Sequence, residues 1–102
     1  MMSTIRMRIS PAGDVLDVKA LIRHPMESGL REDKSTGEKI PANYIQKLMV
    51  MVNDETVMDG NLSEAVSKNP YLNIKVPGKK GDEVTISWTS NTGESDKATQ
   101  AA

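Results

Sequence analysis

Residues 83–89 read Glu-Val-Thr-Ile-Ser-Trp-Thr, and a short turn sequence, Asn91-Thr92-Gly93, follows them. The three apolar side chains of this stretch alternate with short polar ones, a period of two that is typical of a β-strand with one buried face. The glycine of the turn suits the left-handed position of a three-residue hairpin loop. The stretch therefore predicts an antiparallel hairpin, with its second strand over residues 94–99.

The same alternation recurs along the chain, with turn residues between the segments. The predicted strands are 4–9, 15–22, 44–52, 55–60, 71–76, 83–89 and 94–99. Their number and spacing predict an all-β protein, an immunoglobulin-like antiparallel β-sandwich of about seven strands. A small barrel is the alternative, because the cysteines that frame the tryptophan of antibody domains are absent. The length of 102 residues indicates one domain over residues 1–102.

Two segments fall outside the strand pattern. Residues 23–43 form a long, charge-rich connection, and loops of this length are usually functional or mobile. Residues 61–70 are expected to hold a short helical turn over Leu62 and Val66 that ends at a proline. The tail, residues 97–102, is expected to fray.

The composition excludes several classes of site. The chain has no cysteine and one histidine, which excludes disulfides and thiolate metal sites and leaves a poor ligand set for zinc or copper. We therefore expect no metal and no cofactor. Thirteen basic and fourteen acidic residues give a net charge of −1, which argues against nucleic-acid binding. The longest apolar run is too short to span a membrane, and no signal peptide is recognisable, so composition alone indicates a cytoplasmic protein.

The single histidine, His24, is the obvious candidate for a catalytic base. A histidine base needs a nucleophile and an orienting partner. The sequence has no cysteine and no Gly-x-Ser-x-Gly motif that would present a nucleophilic serine. We therefore expect His24 to shape the start of the long connection, and we predict no catalytic residue. The lysines of Gly78-Lys79-Lys80-Gly81 lack the spacing of a phosphate-binding loop, which favours a solvated hairpin loop.

Met49 and Met51 lie in the strand predicted over residues 44–52. If Leu48, Val50 and Val52 face the core, both methionines face outward, because neighbouring side chains of a strand point to opposite faces. The same alternation would put Tyr44 and Gln46 on the core side, and Ile45 and Lys47 beside the methionines. Methionine suits adaptable binding surfaces. A partner, a cover formed by residues 23–43, or a strand buried on both sides would each explain this apolar face.

Several motifs, in order, resemble the SoxZ family, one subunit of the sulfur-carrier complex of the bacterial Sox pathway. They are His24-Pro25-Met26-Glu27-Ser28-Gly29-Leu30-Arg31, Ile40-Pro41-Ala42, Ser67-Lys68-Asn69-Pro70-Tyr71-Leu72, Gly81-Asp82-Glu83-Val84, Ser87-Trp88 and Asn91-Thr92-Gly93-Glu94-Ser95. The resemblance extends from Ile5 to about Lys97, which is nearly the whole chain.

The resemblance implies an immunoglobulin-like sandwich that forms a heterodimer with a SoxY subunit. In that pair, SoxY carries the substrate as a sulfur adduct on a cysteine, and the SoxZ-like chain is a non-catalytic subunit that helps present the adduct to thiosulfate-oxidising enzymes. The resemblance also implies a periplasmic location, reached by export with the partner. The absence of cysteine here is consistent with this division of roles.

On this basis we predict two kinds of partner-binding residue, namely apolar contacts on the first strand after the long connection and residues of the two motif loops. They are His24, Pro25, Met26, Tyr44, Met49, Met51, Ser67, Asn69, Pro70 and Tyr71. The alternative is a stand-alone small-ligand or anion-binding module that uses residues 23–43. A third possibility is an enzyme based on His24. The isolated chain is also a candidate for a homodimer, because exposed apolar strands associate readily.

Overall fold

The structure is a computed structural model that describes residues 4–62 and 68–102. Its fold consists of seven antiparallel strands. They are β1 (Ile5–Ala12), β2 (Val15–Ile22), β3 (Ile45–Val52), β4 (Glu55–Asn61), β5 (Tyr71–Pro77), β6 (Glu83–Ser90) and β7 (Ser95–Ala101). Each predicted strand overlaps one of these, so the alternating pattern identified the strands correctly. No helix among the described residues is long and apolar enough to cross a membrane.

The strands form two separate sheets. One has three strands in the order β1-β2-β5, and the other has four in the order β4-β3-β6-β7. The chain therefore crosses between the sheets after β2, after β4 and again after β5, which is the interleaved connection of immunoglobulin-like sandwiches. The predicted β-sandwich is confirmed. The barrel alternative is wrong, because strand pairing in the described part of the chain stops at the edges of each sheet.

The core lies between the sheets and is built from the inward side of the alternation. Its fully buried side chains come from both sheets: Leu16, Val18 and Ile22 on β2, Ile45 and Val50 on β3, and Val84 and Ile86 on β6. Aliphatic residues dominate because the chain has three aromatic residues and no phenylalanine. Burial of this apolar surface is the main favourable term in folding.

Trp88 on β6 is the one large aromatic side chain of the core and is 4% exposed. Its indole Nε1 donates a hydrogen bond to Thr4 Oγ1 at 3.0 Å. Thr4 in turn donates from its backbone N and its hydroxyl to Asp96 Oδ2, at 2.8 and 2.6 Å. Because Thr4 precedes β1 and Asp96 lies on β7, this polar chain joins the two sheets beside the core.

A β-bulge at the start of β3 changes which side chains face inward. The pairing with β6 shifts between Ile45 and Lys47, so that Ile45 is fully buried while Gln46 and Lys47 are exposed. The predicted placement of Ile45 with the methionines and of Gln46 with the core is therefore wrong. A bulge adds one residue to a strand and inverts the alternation beyond it. Tyr44, just before the bulge, is half-buried.

The end of the chain is ordered in β7, so the prediction that residues 97–102 fray is wrong. Residues of β7 pair with β6 as far as Ala101, and the Thr85 and Thr99 hydroxyls lie 2.9 Å apart across the two strands. Ala102 N donates to Asp82 O at 2.8 Å. Short side chains at this end let Ala98 and Ala102 pack against the core. The helical turn predicted within 61–70 falls mostly on residues 63–67, outside the described residues.

Of the seven glycines, Gly78 lies closest to a core side chain, which leads to a stability prediction. A Cβ at position 78 would lie 2.6 Å from Cδ1 of the fully buried Leu16. We expect Gly78→Ala to destabilise the fold by about 1–3 kcal/mol, the usual effect of overpacking. The measurement is chemical denaturation of the full chain. Gly60→Ala is the control, because its Cβ would meet one methionine methyl at 3.9 Å. Equal stability of the two variants would contradict the prediction.

Candidate partner-binding surfaces

His24 and Asn69 join the two motif loops at one end of the sandwich. His24 N donates to Asn69 Oδ1 at 3.0 Å, and Asn69 N donates to the His24 carbonyl at 2.9 Å. Asn69 has a φ of 53°, a left-handed conformation that asparagine tolerates better than most residues. Ile22 N also donates to Pro70 O at 3.0 Å. The loops that the sequence singled out separately are therefore one structural unit.

The imidazole of His24 is a packing group between the sheets. It is 4% exposed, and its Nδ1 accepts a hydrogen bond from Met26 N at 3.1 Å. An accepting Nδ1 requires a neutral ring with its proton on Nε2. The ring packs edge to face with Trp88, with centroids 5.0 Å apart. Burial lowers the pKa of His24, and the opposing charge of Glu94 offsets only part of this. These contacts match the expectation that His24 shapes the loop.

Met26 fixes the next turn of the same loop. Its side chain is 6% exposed, and Ile45 N approaches its Sδ at 3.4 Å. Its φ of 50° is uncommon for a residue with a long side chain, and such strain persists only where surrounding contacts hold it. Because His24 and Met26 are buried, neither has a surface to offer a partner. They support the exposed residues around them, among which Pro25 lies on this loop.

Residues 27–43, here called the arm, form an irregular two-stranded projection. Glu27 and Asn43 exchange two backbone hydrogen bonds at 2.7 and 2.9 Å, and Ile40 N donates to Arg31 O at 2.8 Å. Beyond these bonds, residues 31–39 are all exposed. The molecule is 53 Å long and 22 Å wide, whereas eight-residue strands span roughly 27 Å. The predicted long connection therefore projects into solvent.

Asn91 holds the base of the arm against the β6–β7 hairpin. Its Oδ1 accepts from Tyr44 N at 2.8 Å, and its Nδ2 donates to Ala42 O at 3.0 Å. Its own backbone N donates to Tyr44 O at 3.0 Å. The sequence indicated Asn91 as a turn residue and as part of a family-like motif. An asparagine at a turn carries no sequence signal for a contact 47 residues away.

Met49 and Met51 point outward from the four-stranded sheet, as predicted, and both are half-buried. We call the surface around them the methionine face. Four residues lie opposite the methionines on the neighbouring strands, three with short hydroxyl side chains and one with a carboxylate: Thr56, Thr85, Ser87 and Asp59. Charged side chains also stand on this face: Lys47 lies two residues before Met49 on β3, Asp59 is on β4, and Lys97 on β7 lies opposite Ser87. The exposed arm leaves this face uncovered, and no third layer packs on it among the described residues.

The predicted partner-binding residues thus occupy two regions. Met49 and Met51 lie on the methionine face, whereas His24, Pro25, Met26, Tyr44, Asn69, Pro70 and Tyr71 lie at the end that carries the arm. Tyr71 is 62% exposed and stands on the outer side of the three-stranded sheet. Ser67 lies outside the described residues. In residues 4–62 and 68–102 no cluster of three or more histidine, cysteine, aspartate or glutamate side chains is arranged to hold a metal ion.

Comparison with models of known protein families identifies the family of this chain. The model of the family described as sulphur oxidation protein SoxZ matches residues 5–101 of the 102-residue chain. A search of curated proteins finds no significant match. The family match covers both motif loops, the arm and all seven strands.

The buried, neutral His24 predicts a loss of stability in mild acid. In the unfolded chain His24 takes up a proton near its ordinary pKa of 6.5, but in the folded chain its pKa is lower. The unfolded state then binds more protons between these two values, so the free energy of unfolding falls as the pH drops below 6.5. Denaturation between pH 7 and 5 measures this. The His24→Gln variant removes the titration and should show a shallower decline; identical slopes would contradict the prediction.

The Asn91 contacts predict that the arm loosens when that side chain is removed. Asn91→Ala deletes two side-chain hydrogen bonds and should cost about 1–2 kcal/mol of stability. Hydrogen exchange at the Tyr44 amide should become faster, because Asn91 Oδ1 is its acceptor. Asn53→Gly is the control, since Asn53 Oδ1 accepts from Glu83 N at 2.9 Å far from the arm. Faster Tyr44 exchange in both variants would argue against a local clamp.

Proposed function

We propose that this chain, which belongs to the SoxZ family and therefore has a role in the Sox system of sulfur oxidation, is a non-catalytic carrier subunit. Family membership also implies association with other Sox proteins such as SoxY. In our proposal the chain binds a SoxY-like subunit, whose cysteine holds the sulfur adduct, and helps present that adduct to thiosulfate-oxidising enzymes. We further propose that the pair works in the periplasm and that the chain is exported with its partner.

The observation that carries this proposal is the uncovered methionine face. A protein interface has a core depleted in charge and enriched in methionine and aromatic residues, with a polar rim. Met49 and Met51 sit on a central strand beside the hydroxyl side chains of the neighbouring strands, and the flanking charges are Lys47, Asp59 and Lys97. A flat sheet of this kind can supply about half of a standard interface of roughly 1,600 Å². We therefore place the SoxY-like subunit on the methionine face.

The end that carries the arm supplies a second support. The loops that contain Pro25, Asn69 and Tyr71 are exposed there, on a base held by His24 and Asn91. Rigidly held exposed loops lower the entropic cost of binding, because less freedom is lost when the partner docks. We propose that this end helps orient the partner or meets the enzymes that act on its adduct.

A non-catalytic role agrees with the chemistry that the chain offers. No cysteine is present to accept sulfur, and the one histidine is buried with its ring in packing contacts. The stand-alone alternative would need a ligand site in residues 23–43. Two surface cavities, of about 450 and 350 Å³, are both lined by residues outside that segment. We therefore propose a partner-binding subunit and not a stand-alone ligand-binding module.

A lysine on the methionine face should disrupt partner binding. We expect Met51→Lys to weaken binding to a purified SoxY subunit by about a hundredfold, because an uncompensated charge would be buried at the interface centre. Met49→Lys should weaken binding less, because Asp59 lies opposite position 49. Isothermal titration calorimetry or surface plasmon resonance would measure the affinity. Each variant should still fold, because both side chains point outward.

Val15→Lys provides the matched control, since Val15 is 39% exposed on the outer side of the other sheet. Its affinity should equal that of the parent chain. Loss of binding in the Val15 variant, with retention in both methionine variants, would move the interface to the three-stranded sheet. No association of the parent chain at micromolar concentration would overturn the carrier role itself.

A further inference from the structure

The outer side of the three-stranded sheet concentrates positive charge. Its charged side chains are four basic and one acidic: Arg6, Arg8, Lys19, Lys75 and Asp17. The chain as a whole has a net charge of −1, so this surface departs from the average of the molecule. The strand register places these residues on one face, because residues directly opposite each other in an antiparallel pair point to the same side.

Two of the cations face each other directly. Arg8 lies opposite Lys19 in the β1–β2 register, and Arg6 lies opposite Leu21. Like charges in directly opposed positions destabilise a sheet. Throughout the described residues no carboxylate forms an ion pair with Arg6, Arg8 or Lys19. The folded chain therefore gains nothing from this placement, and an anion held between the cations would offset their repulsion.

The acidic residue of this face does not neutralise the three cations. Asp17 lies directly opposite Lys75 on β5 and opposite Ser10 on β1. It therefore pairs in register with the fourth basic residue, two positions along β2 from Lys19. The positive field over Arg6, Arg8 and Lys19 is left uncompensated at short range.

These three cations line a cleft of about 350 Å³, which we call the cationic cleft, together with Leu21 and Tyr71. A guanidinium group presents donors in a planar fork that matches two oxygens of one oxyanion, and a lysine ammonium adds a mobile point charge. Two guanidinium groups and one ammonium group around one cleft suit a small anion with a double negative charge. The apolar wall limits competing hydration on one side.

We propose that the cationic cleft binds a doubly charged sulfur oxyanion, of which sulfate and thiosulfate are the simplest examples. Anion binding rests on the geometry of this cleft alone. The choice of a sulfur oxyanion over phosphate rests on the proposed function. The cleft lies on the opposite side of the sandwich from the methionine face, so an anion and a partner subunit can be bound at the same time.

The test is titration of the full chain with sodium sulfate and sodium thiosulfate, against sodium chloride at equal ionic strength. The NMR resonances of the arginine Nε–H groups should shift and then saturate as the anion is added. We expect a Kd of about 1 mM. Sulfate stabilises most proteins by exclusion from their surfaces, so a rise in melting temperature alone is not sufficient. The arginine resonances and a site variant supply the specificity.

Lys19→Glu separates binding from stability because it moves them in opposite directions. It converts a repulsive pair with Arg8 into an attractive one, so its melting temperature in chloride should rise. Its affinity for the oxyanion should fall by about tenfold or more. Lys97→Glu makes the same change in net charge on the other sheet, opposite Ser87, and should bind as the parent does. Arg8→Gln is a second variant of the cationic cleft, which removes one positive charge without adding a carboxylate.

Three results would overturn the proposal or part of it. Linear, unsaturated shifts in the parent chain would show an adventitious ion effect only. Equal binding by the parent and Lys19→Glu would place the anion elsewhere. Phosphate that binds as tightly as thiosulfate would overturn the assignment to sulfur. Binding of the SoxY subunit is measured separately and does not depend on Lys19, so a failure here leaves the carrier role standing.

Discussion

One hydrogen-bonded tryptophan connects the sheets, the hairpins and the base of the arm. The Trp88 indole donates to Thr4 Oγ1, Thr4 donates twice to Asp96, and the His24 ring packs edge to face on Trp88. These residues come from β6, β7, the position just before β1 and the loop after β2. A buried indole N–H needs an acceptor. Thr4 supplies it because the packing of the two sheets brings the residue before β1 next to β6. The position of the exposed loops therefore depends on an interaction inside the sandwich.

The strands were predictable because a two-sided sandwich imposes a period of two on the sequence, and every strand retains it over most of its length. The bulge between Ile45 and Lys47 was not predictable, because it depends on how β3 pairs with β6 and not on the local residues. The order at the chain end was missed for a similar reason. Thr99 is a weak local signal until Thr85 is placed opposite it.

The candidate sites divide along the same line. Met49 and Met51 broke the alternation with apolar side chains on an outward face, a signal that the sequence carries. His24 and Met26 were selected for their place in a motif, and the fold buries both. The cationic cleft was not anticipated, because Arg6, Arg8 and Lys19 read as ordinary polar partners of the buried residues. Their meaning appears only when the register sets Arg8 opposite Lys19.

The two outer faces of the sandwich differ in charge, and this difference restricts which face a partner subunit can cover. The methionine face combines thioether and hydroxyl side chains with the opposite charges of Lys47 and Asp59, so it loses little hydration of unbalanced charge when covered. The cationic face would lose far more, because burying unpaired charges is costly. A partner subunit is therefore better accommodated on the four-stranded sheet, which leaves the cations in water. With no thiol in the chain, an anion at the cationic cleft can be held only by charge and hydrogen bonds, and so remains free to leave.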